Sequence, residues 1–92
     1  MMGTNMGRQM MKNEAEISIT AATADDLLEI GMKYCIGREV SLNLVAAHKW
    51  FNLAALKGSE SAKQYRCEIS REMSPADVAD AQRQARDLLT LH

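Results

Sequence analysis

The chain has 92 residues, a formal net charge of -1 and 47% hydrophobic residues. This length holds one small domain, and the near-neutral charge creates no broad basic field, so neither nucleic acid nor a membrane surface is an expected partner. No window is apolar over the length that a membrane span needs, and we therefore expect a cytoplasmic protein. The two cysteines, Cys35 and Cys67, form no CxxC pair and are expected to be reduced thiols.

The first part of the chain differs in composition from the rest. In residues 1–22, Gly, Asn, Ser and Thr separate isolated apolar residues, and no helical stripe is long enough to bury a face. We predict a disordered N-terminal segment over 1–22 and a helical domain over 23–92. The alternation from Glu16 to Thr20 leaves open a short strand that adds to the sheet edge of a partner.

The first predicted helix begins after Thr23. The Thr23 side chain can accept a hydrogen bond from the free backbone N–H groups, and Asp26, three residues later, completes a capping box. Leu27 and Ile30 then recur at helical spacing as part of a core face. Gly37 can adopt the left-handed conformation that ends a helix, so the chain is expected to turn back there.

The second predicted helix covers about Asn43 to Lys57 and is apolar around most of its circumference. We therefore expect it to be the central helix of the domain. Its main arc combines small and large apolar residues, namely Leu44, Ala47, Phe51, Ala54 and Ala55, with Trp50 at the margin. Gly58 is placed to stop this helix.

Two further helices are predicted after Gly58. Ser59 can cap a third helix that runs to about Met73, and Ser74 followed by Pro75 marks the start of a fourth. The inward face of the fourth helix is predicted to consist of Val78, Ala81, Ala85, Leu88 and Leu89. The predicted fold is all-α, with about four helices whose short connections imply antiparallel neighbours.

Residues 30–62 resemble the Sel-one-like repeat, a relative of the tetratricopeptide repeat. The residues that carry the resemblance are Gly31, Tyr34, Gly37, Ala47, Trp50, Phe51, Ala54, Ala55, Gly58 and Ala62. They place a repeat core at about 27–62, and residues 59–90 are similar to a degenerate second repeat followed by a closing helix. One departure is Glu39, which occupies a position where the repeat usually has Gly.

The resemblance implies a short α-α superhelix of the tetratricopeptide type, as in short bacterial members of the family. It also implies a non-enzymatic protein–protein interaction or adaptor module with no cofactor, and regulation is one form that this function takes. Such arrays need about three repeats to bury a continuous core, and this chain has fewer. We therefore predict a protein partner, with a homodimer as one alternative.

Two helix surfaces are candidate partner-binding sites. The first is a strip on the second helix that lies away from its main arc and consists of Val45, Lys49, Asn52, Leu53 and Leu56. An equally open alternative is that the third or fourth helix covers this strip. The second candidate, suggested by the family's use of its inner helix surface, is the outer side of the first helix, with Glu29, Met32, Lys33 and Ile36.

Other classes of function have weaker support. A helix-turn-helix regulator could use the helix after Pro75 to read DNA, but only Arg83 and Arg86 would offset its three aspartates. No HExxH or CxxC spacing brings metal ligands together, so we expect no catalytic or metal site. His48 is expected to lie partly buried beside the aromatic residues, with one ring nitrogen bonded to a backbone carbonyl.

Overall fold

The computed structural model describes residue 19 and residues 21–91, and that region is helical without strands. Its helices are α1 (Ala24–Ile36), α2 (Leu44–Leu56), α3 (Glu60–Ser70) and α4 (Pro75–Leu91). The prediction of an all-α fold with four helices is confirmed over these residues. Within the same residues, no helix combines the length and the apolar character that crossing a membrane requires.

Both ends of α1 form as the sequence predicts. The Asp26 N–H donates to the Thr23 hydroxyl oxygen at 3.0 Å, and the Thr23 N–H donates to the Asp26 carboxylate at 3.0 Å. This reciprocal pair satisfies two of the backbone donors that a helix start leaves free. At the other end, Gly37 has φ 73° and its N–H donates to the Lys33 carbonyl. A residue with a side chain would be strained in that conformation.

The turn between α1 and α2 contains a second left-handed residue. Glu39 has φ 70°, which is uncommon for any residue except glycine, and its carboxylate pairs with the Lys33 ammonium at 3.0 Å. The Asn43 N–H then donates to the Tyr34 carbonyl at 3.0 Å and fixes the end of the turn to α1. The Asn43 side chain in turn caps α2 by accepting from the Ala46 N–H at 3.1 Å.

Helix α2 is the centre of the domain, as predicted. It is the helix against which α1, α3 and α4 all pack closely, whereas α3 and α4 have no comparable contact with each other. We expected every short connection to join helices that pack as antiparallel neighbours, but α3 and α4 do not pack closely on each other. The chain leaves α2 through Gly58, which has φ 107°, and the Ser59 hydroxyl caps α3 by accepting from the Ala62 N–H at 3.0 Å.

Helix α3 ends three residues earlier than predicted. After Ser70 the backbone continues in a turn in which the N–H groups of Arg71, Glu72 and Met73 each donate to the carbonyl three residues before. Such bonds tighten the end of a helix and stop its propagation. The Ser74 hydroxyl then accepts from the Asp77 N–H at 3.1 Å, so α4 begins at Pro75 as predicted.

The core contact between α1 and α2 depends on the absence of a side chain at Gly31. A Cβ placed there would lie 2.6 Å from the Phe51 ring, far inside normal contact distance. The Phe51 ring also stacks on Tyr65 of α3, with ring centroids 5.6 Å apart. Phe51 therefore connects three helices, and Leu27 and Trp50 are buried in the same cluster.

Two predictions about burial were wrong. Ile19 and Ala22 belong to the core although the sequence predicts disorder over 1–22, and Lys57 Nζ donates to the Ala22 carbonyl at 2.9 Å. Both residues belong to the core cluster, and the hydrogen bond ties Ala22 to the end of α2. Residues 1–18 and residue 20, which include most of the proposed strand, lie outside the described residues. Leu89, predicted to face inward, is 44% exposed.

Candidate partner-binding groove

The strip predicted on α2 is not one continuous surface. Leu53 is 1% exposed and Asn52 is also buried, because the chain's own helices pack over this part of α2. Val45 and Lys49 are half-buried, whereas Leu56 is 69% exposed. The alternative that the third or fourth helix covers the strip is supported at Asn52, to which Arg66 of α3 donates, and Leu56 is left as the exposed apolar residue.

The second candidate surface, on α1, has few free apolar groups. Glu29 is exposed, and Ile36 at the helix end is 55% exposed. Met32 is half-buried against the core cluster, and the Lys33 ammonium is held by Glu39. The structure thus brings no apolar patch together on this side of α1, since single exposed apolar residues are normal on a protein surface.

A buried polar network connects α2 to α3. His48 is 1% exposed, and its Nε2 lies 2.9 Å from the Ser70 hydroxyl oxygen, while its Nδ1 lies 3.1 Å from Asn52 Nδ2. Arg66 Nη1 donates to Asn52 Oδ1 at 2.8 Å. The prediction that His48 is partly buried and bonded to a backbone carbonyl was wrong, because side chains of α2 and α3 supply both partners.

The hydroxyl proton of Ser70 determines which atom donates and which accepts in every hydrogen bond of this network. Ser70 donates its single hydroxyl proton to the Arg66 carbonyl at 2.7 Å, so its oxygen must accept from His48 Nε2. His48 Nδ1 is then the acceptor for the Asn52 amide group, and Asn52 Oδ1 accepts from the Arg66 guanidinium. The network requires the neutral imidazole with its proton on Nε2.

Burial and charge both keep His48 neutral. Removal from water lowers the pKa of His48 below its ordinary value, and the positive charge of Arg66 lowers it further. A second proton on Nδ1 would also face the Asn52 amide donor, which would have to turn and present its donor to Arg66 instead. Protonation of His48 therefore opposes the arrangement that holds Arg66.

An open groove lies beside this network, between α2, α3 and α4. Its volume is about 210 Å³, and it is lined by Asn52, Leu56, Arg66, Gln82, Ala85, Arg86 and Leu89. The apolar lining comes from Leu56, Ala85 and Leu89, and the lining contains two arginines and no carboxylate. Among the residues that the structure describes, neither arginine takes part in an ion pair.

The remaining reactive side chains of residue 19 and residues 21–91 form no metal cluster. No group of three His, Cys, Asp or Glu residues within that part of the chain is placed to hold an ion. Burial, followed by the charges of Glu72 and Glu68, raises the pKa of the half-buried Cys35 thiol, which disfavours the reactive thiolate. His92 lies outside the described residues.

Sequence reasoning missed both the network and the groove. The available signal was the pair His48 and Asn52, which are four residues apart on an otherwise apolar helix, and a second pair, Arg66 and Ser70, at the same spacing on α3. The groove depends on how α4 crosses α2, which no local pattern specifies.

No family model, no curated protein and no solved structure matches this chain.

Proposed function

We propose that this chain is a non-enzymatic protein–protein interaction or adaptor module that acts in the cytoplasm. The observation that carries the proposal is the open groove, because two leucines that are mostly or substantially exposed, Leu56 and Leu89, lie on its lining. Large apolar side chains grouped at a concave surface, with polar groups beside them, are typical of sites that receive a partner segment.

The proposed architecture is a short α-α superhelix of the Sel-one-like type. In this interpretation α1 and α2 form one repeat, α3 belongs to a degenerate second repeat, and α4 is a closing helix. The close approach of Gly31 to Phe51 supports it, as does the left-handed backbone of Glu39 at a position where the repeat usually has Gly. A short array leaves helix surface uncovered, and the groove is such a surface.

The use of the polar side chains supports an interaction function rather than catalysis. His48 is buried, and both of its ring nitrogens are occupied by hydrogen bonds within the protein. Asn52 and Ser70 are engaged in the same network, so these groups hold helices together and position Arg66. A general acid or base needs to reach its substrate, and His48 does not.

The alternative of a DNA-binding regulator has less support from the side chains of α4. Arg83 pairs with Asp80 of its own helix, and Arg86 lines the groove instead of forming a row of cations along one face. Affinity for DNA normally depends on several phosphate contacts from Lys or Arg. We keep this function as an outcome that the experiments can reveal.

The proposed function can be tested by placing a photo-crosslinking amino acid at Leu56 in living cells. Leu42 provides a matched control because it is also a well-exposed leucine, at 62%, but does not line the groove. We expect a discrete crosslinked protein from position 56 and none from position 42. The same products at both positions, or none at either, would contradict the proposal.

The crosslinked protein, once identified and purified, allows a quantitative test. Leu56→Glu should abolish its binding while helicity stays unchanged, and Leu42→Glu should leave its binding intact. A surface change of this kind alters folding stability by no more than about 0.5 kcal/mol. If the crosslinked product is a second copy of this chain, light scattering over a concentration series should show a dimer that Leu56→Glu converts to a monomer.

A further inference from the structure

Two arginines with different environments meet in the groove. Arg66 of α3 is half-buried, and its Nη1 donates to the buried Asn52 at 2.8 Å. Arg86 of α4 is exposed. A guanidinium carries five N–H donors, so the one hydrogen bond given to Asn52 leaves Arg66 with further donors for a ligand. The network of His48, Asn52 and Ser70 restricts where that guanidinium lies.

The charge of the groove has no counterpart within the described part of the chain. Neither Arg66 nor Arg86 forms an ion pair there, although three other cations of the same region, Lys33, Lys63 and Arg83, do. No carboxylate lines the groove either. Two positive charges beside a leucine-lined surface are complementary to a ligand that carries carboxylates next to apolar groups.

We infer that the groove binds an acidic, leucine-bearing peptide segment of a partner protein, with carboxylates on Arg66 and Arg86 and an apolar side chain between Leu56 and Leu89. This inference rests on the proposed function and specifies its partner. The volume of about 210 Å³ is smaller than the roughly 300–1,000 Å³ of typical small-molecule sites. It suits one or two side chains of a peptide that continues along the surface.

A second copy of this chain fits the same groove less well. A two-fold contact centred there would bring the arginines of both copies toward each other, and like charges facing across an interface oppose association. Nucleic acid would satisfy the positive charge but not the exposed leucines. The acidic peptide is the occupant that uses both features of the groove.

The test measures fluorescence anisotropy with short labelled peptides and the full chain. The first probe is an amphipathic peptide with leucines on one face and glutamates beside them, and its twin has glutamine at every glutamate position. We expect the glutamate peptide to bind at least about tenfold more tightly than its twin, with affinity that falls as salt rises. A labelled single-stranded oligonucleotide of similar charge is the third probe.

Arginine variants locate the effect. Arg86→Gln and Arg66→Gln should each weaken binding of the glutamate peptide by about tenfold, and Arg66→Lys should restore part of the loss. Arg38→Gln is the matched control, because Arg38 is exposed in the turn after α1, does not line the groove and carries the same charge. Arg86 makes no hydrogen bond to the buried network, so its variant remains informative if Arg66→Gln destabilises the fold.

The inference is overturned if the two peptides bind equally, if neither binds, if the oligonucleotide binds more tightly, or if Arg38→Gln weakens binding as much as Arg86→Gln. Equal binding of both peptides that Leu56→Glu abolishes would leave the proposed function intact, since apolar contact alone would then explain the interaction. A partner crosslinked from Leu56 that lacks an acidic segment would separate the two in the same way.

Discussion

The side of α2 that faces α1 and the side that faces α3 and α4 are built in different ways. Toward α1 the contact is close apolar packing, because the Phe51 ring lies against the backbone of Gly31, which has no side chain. Toward α3 the same helix places His48 and Asn52 in a hydrogen-bonded network with Ser70 and Arg66. The open groove lies on this second side, where α4 also crosses.

The difference separates what stabilises the fold from what shapes its surface. Close-packed apolar contacts stabilise a domain without fixing polar groups in particular directions. A buried polar network costs stability unless each member is satisfied, and no buried side-chain nitrogen or oxygen in the described region lacks a partner. The network therefore orients a side chain, because its hydrogen bond from Arg66 to Asn52 fixes the position of the Arg66 guanidinium at the edge of the groove.

The largest expected effect tests the apolar core that both sides share. Trp50 is buried, so Trp50→Ala should lower the free energy of unfolding by about 3–5 kcal/mol, a large part of what a small domain possesses. Denaturant titration followed by circular dichroism measures the loss. Leu56→Ala, on the same helix but exposed, should change stability little, and equal effects of the two substitutions would contradict this core.

The polar network between α2 and α3 can be disrupted by removing the His48 imidazole. His48→Leu has an apolar side chain of similar size and leaves the buried Asn52 amide without its acceptor, which should cost about 1–3 kcal/mol. Adding Asn52→Leu should recover part of that loss, because replacing both partners by apolar groups removes the unsatisfied donor. Additive losses in the double variant would show that the two side chains do not interact.

The packing of α1 against α2 can be disrupted by adding a single methyl group at Gly31. Gly31→Ala would gain about 1 kcal/mol from helix propensity but would force Phe51 to move, at a cost of about 1–3 kcal/mol, so we expect a net loss. Thermal unfolding should show a lower midpoint. The control is the pair with Phe51→Leu, in which the penalty of Gly31→Ala should shrink; a stabilised Gly31→Ala protein would contradict the close approach.

The smallest expected effect is a decline of stability as the pH falls through the ordinary histidine range, which the His48 network should produce. Because the pKa of His48 is lower in the folded protein than in the unfolded chain, the unfolded chain binds the proton first as the pH falls. Stability should therefore decline below about pH 6.5, by at most about 1.4 kcal/mol per pH unit for one proton. Denaturation at several pH values should show this slope in the wild type and lose it in His48→Leu.

The sequence predicted the helices well because their ends depend on local chemistry. Thr23, Ser59 and Ser74 were predicted as caps from neighbouring residues, and all three act as caps in the structure. Asn43, predicted as the start of the second helix, is also a cap. Glu39 is different. Its left-handed backbone was not predicted, because such a conformation is uncommon for a residue with a side chain.

The groove was not predictable in the same way, since it depends on tertiary packing. The strip predicted on α2 combined Leu53, which is buried, with Leu56, which is exposed, and no periodicity distinguishes them before the tertiary packing is known. Arg66 received no role from the sequence because its partner, Asn52, lies on another helix. The direction of the network further required the backbone carbonyl that accepts from Ser70.

The most direct test of this account is a nitrogen NMR measurement of the His48 ring in the full chain near neutral pH. The network predicts a neutral imidazole whose proton is on Nε2, with Nδ1 as an acceptor. If that tautomer is observed and persists as the pH falls past the ordinary histidine range, the result would support the hydrogen-bonded network that holds Arg66 in place. A charged ring at neutral pH, or a proton on Nδ1, would contradict it.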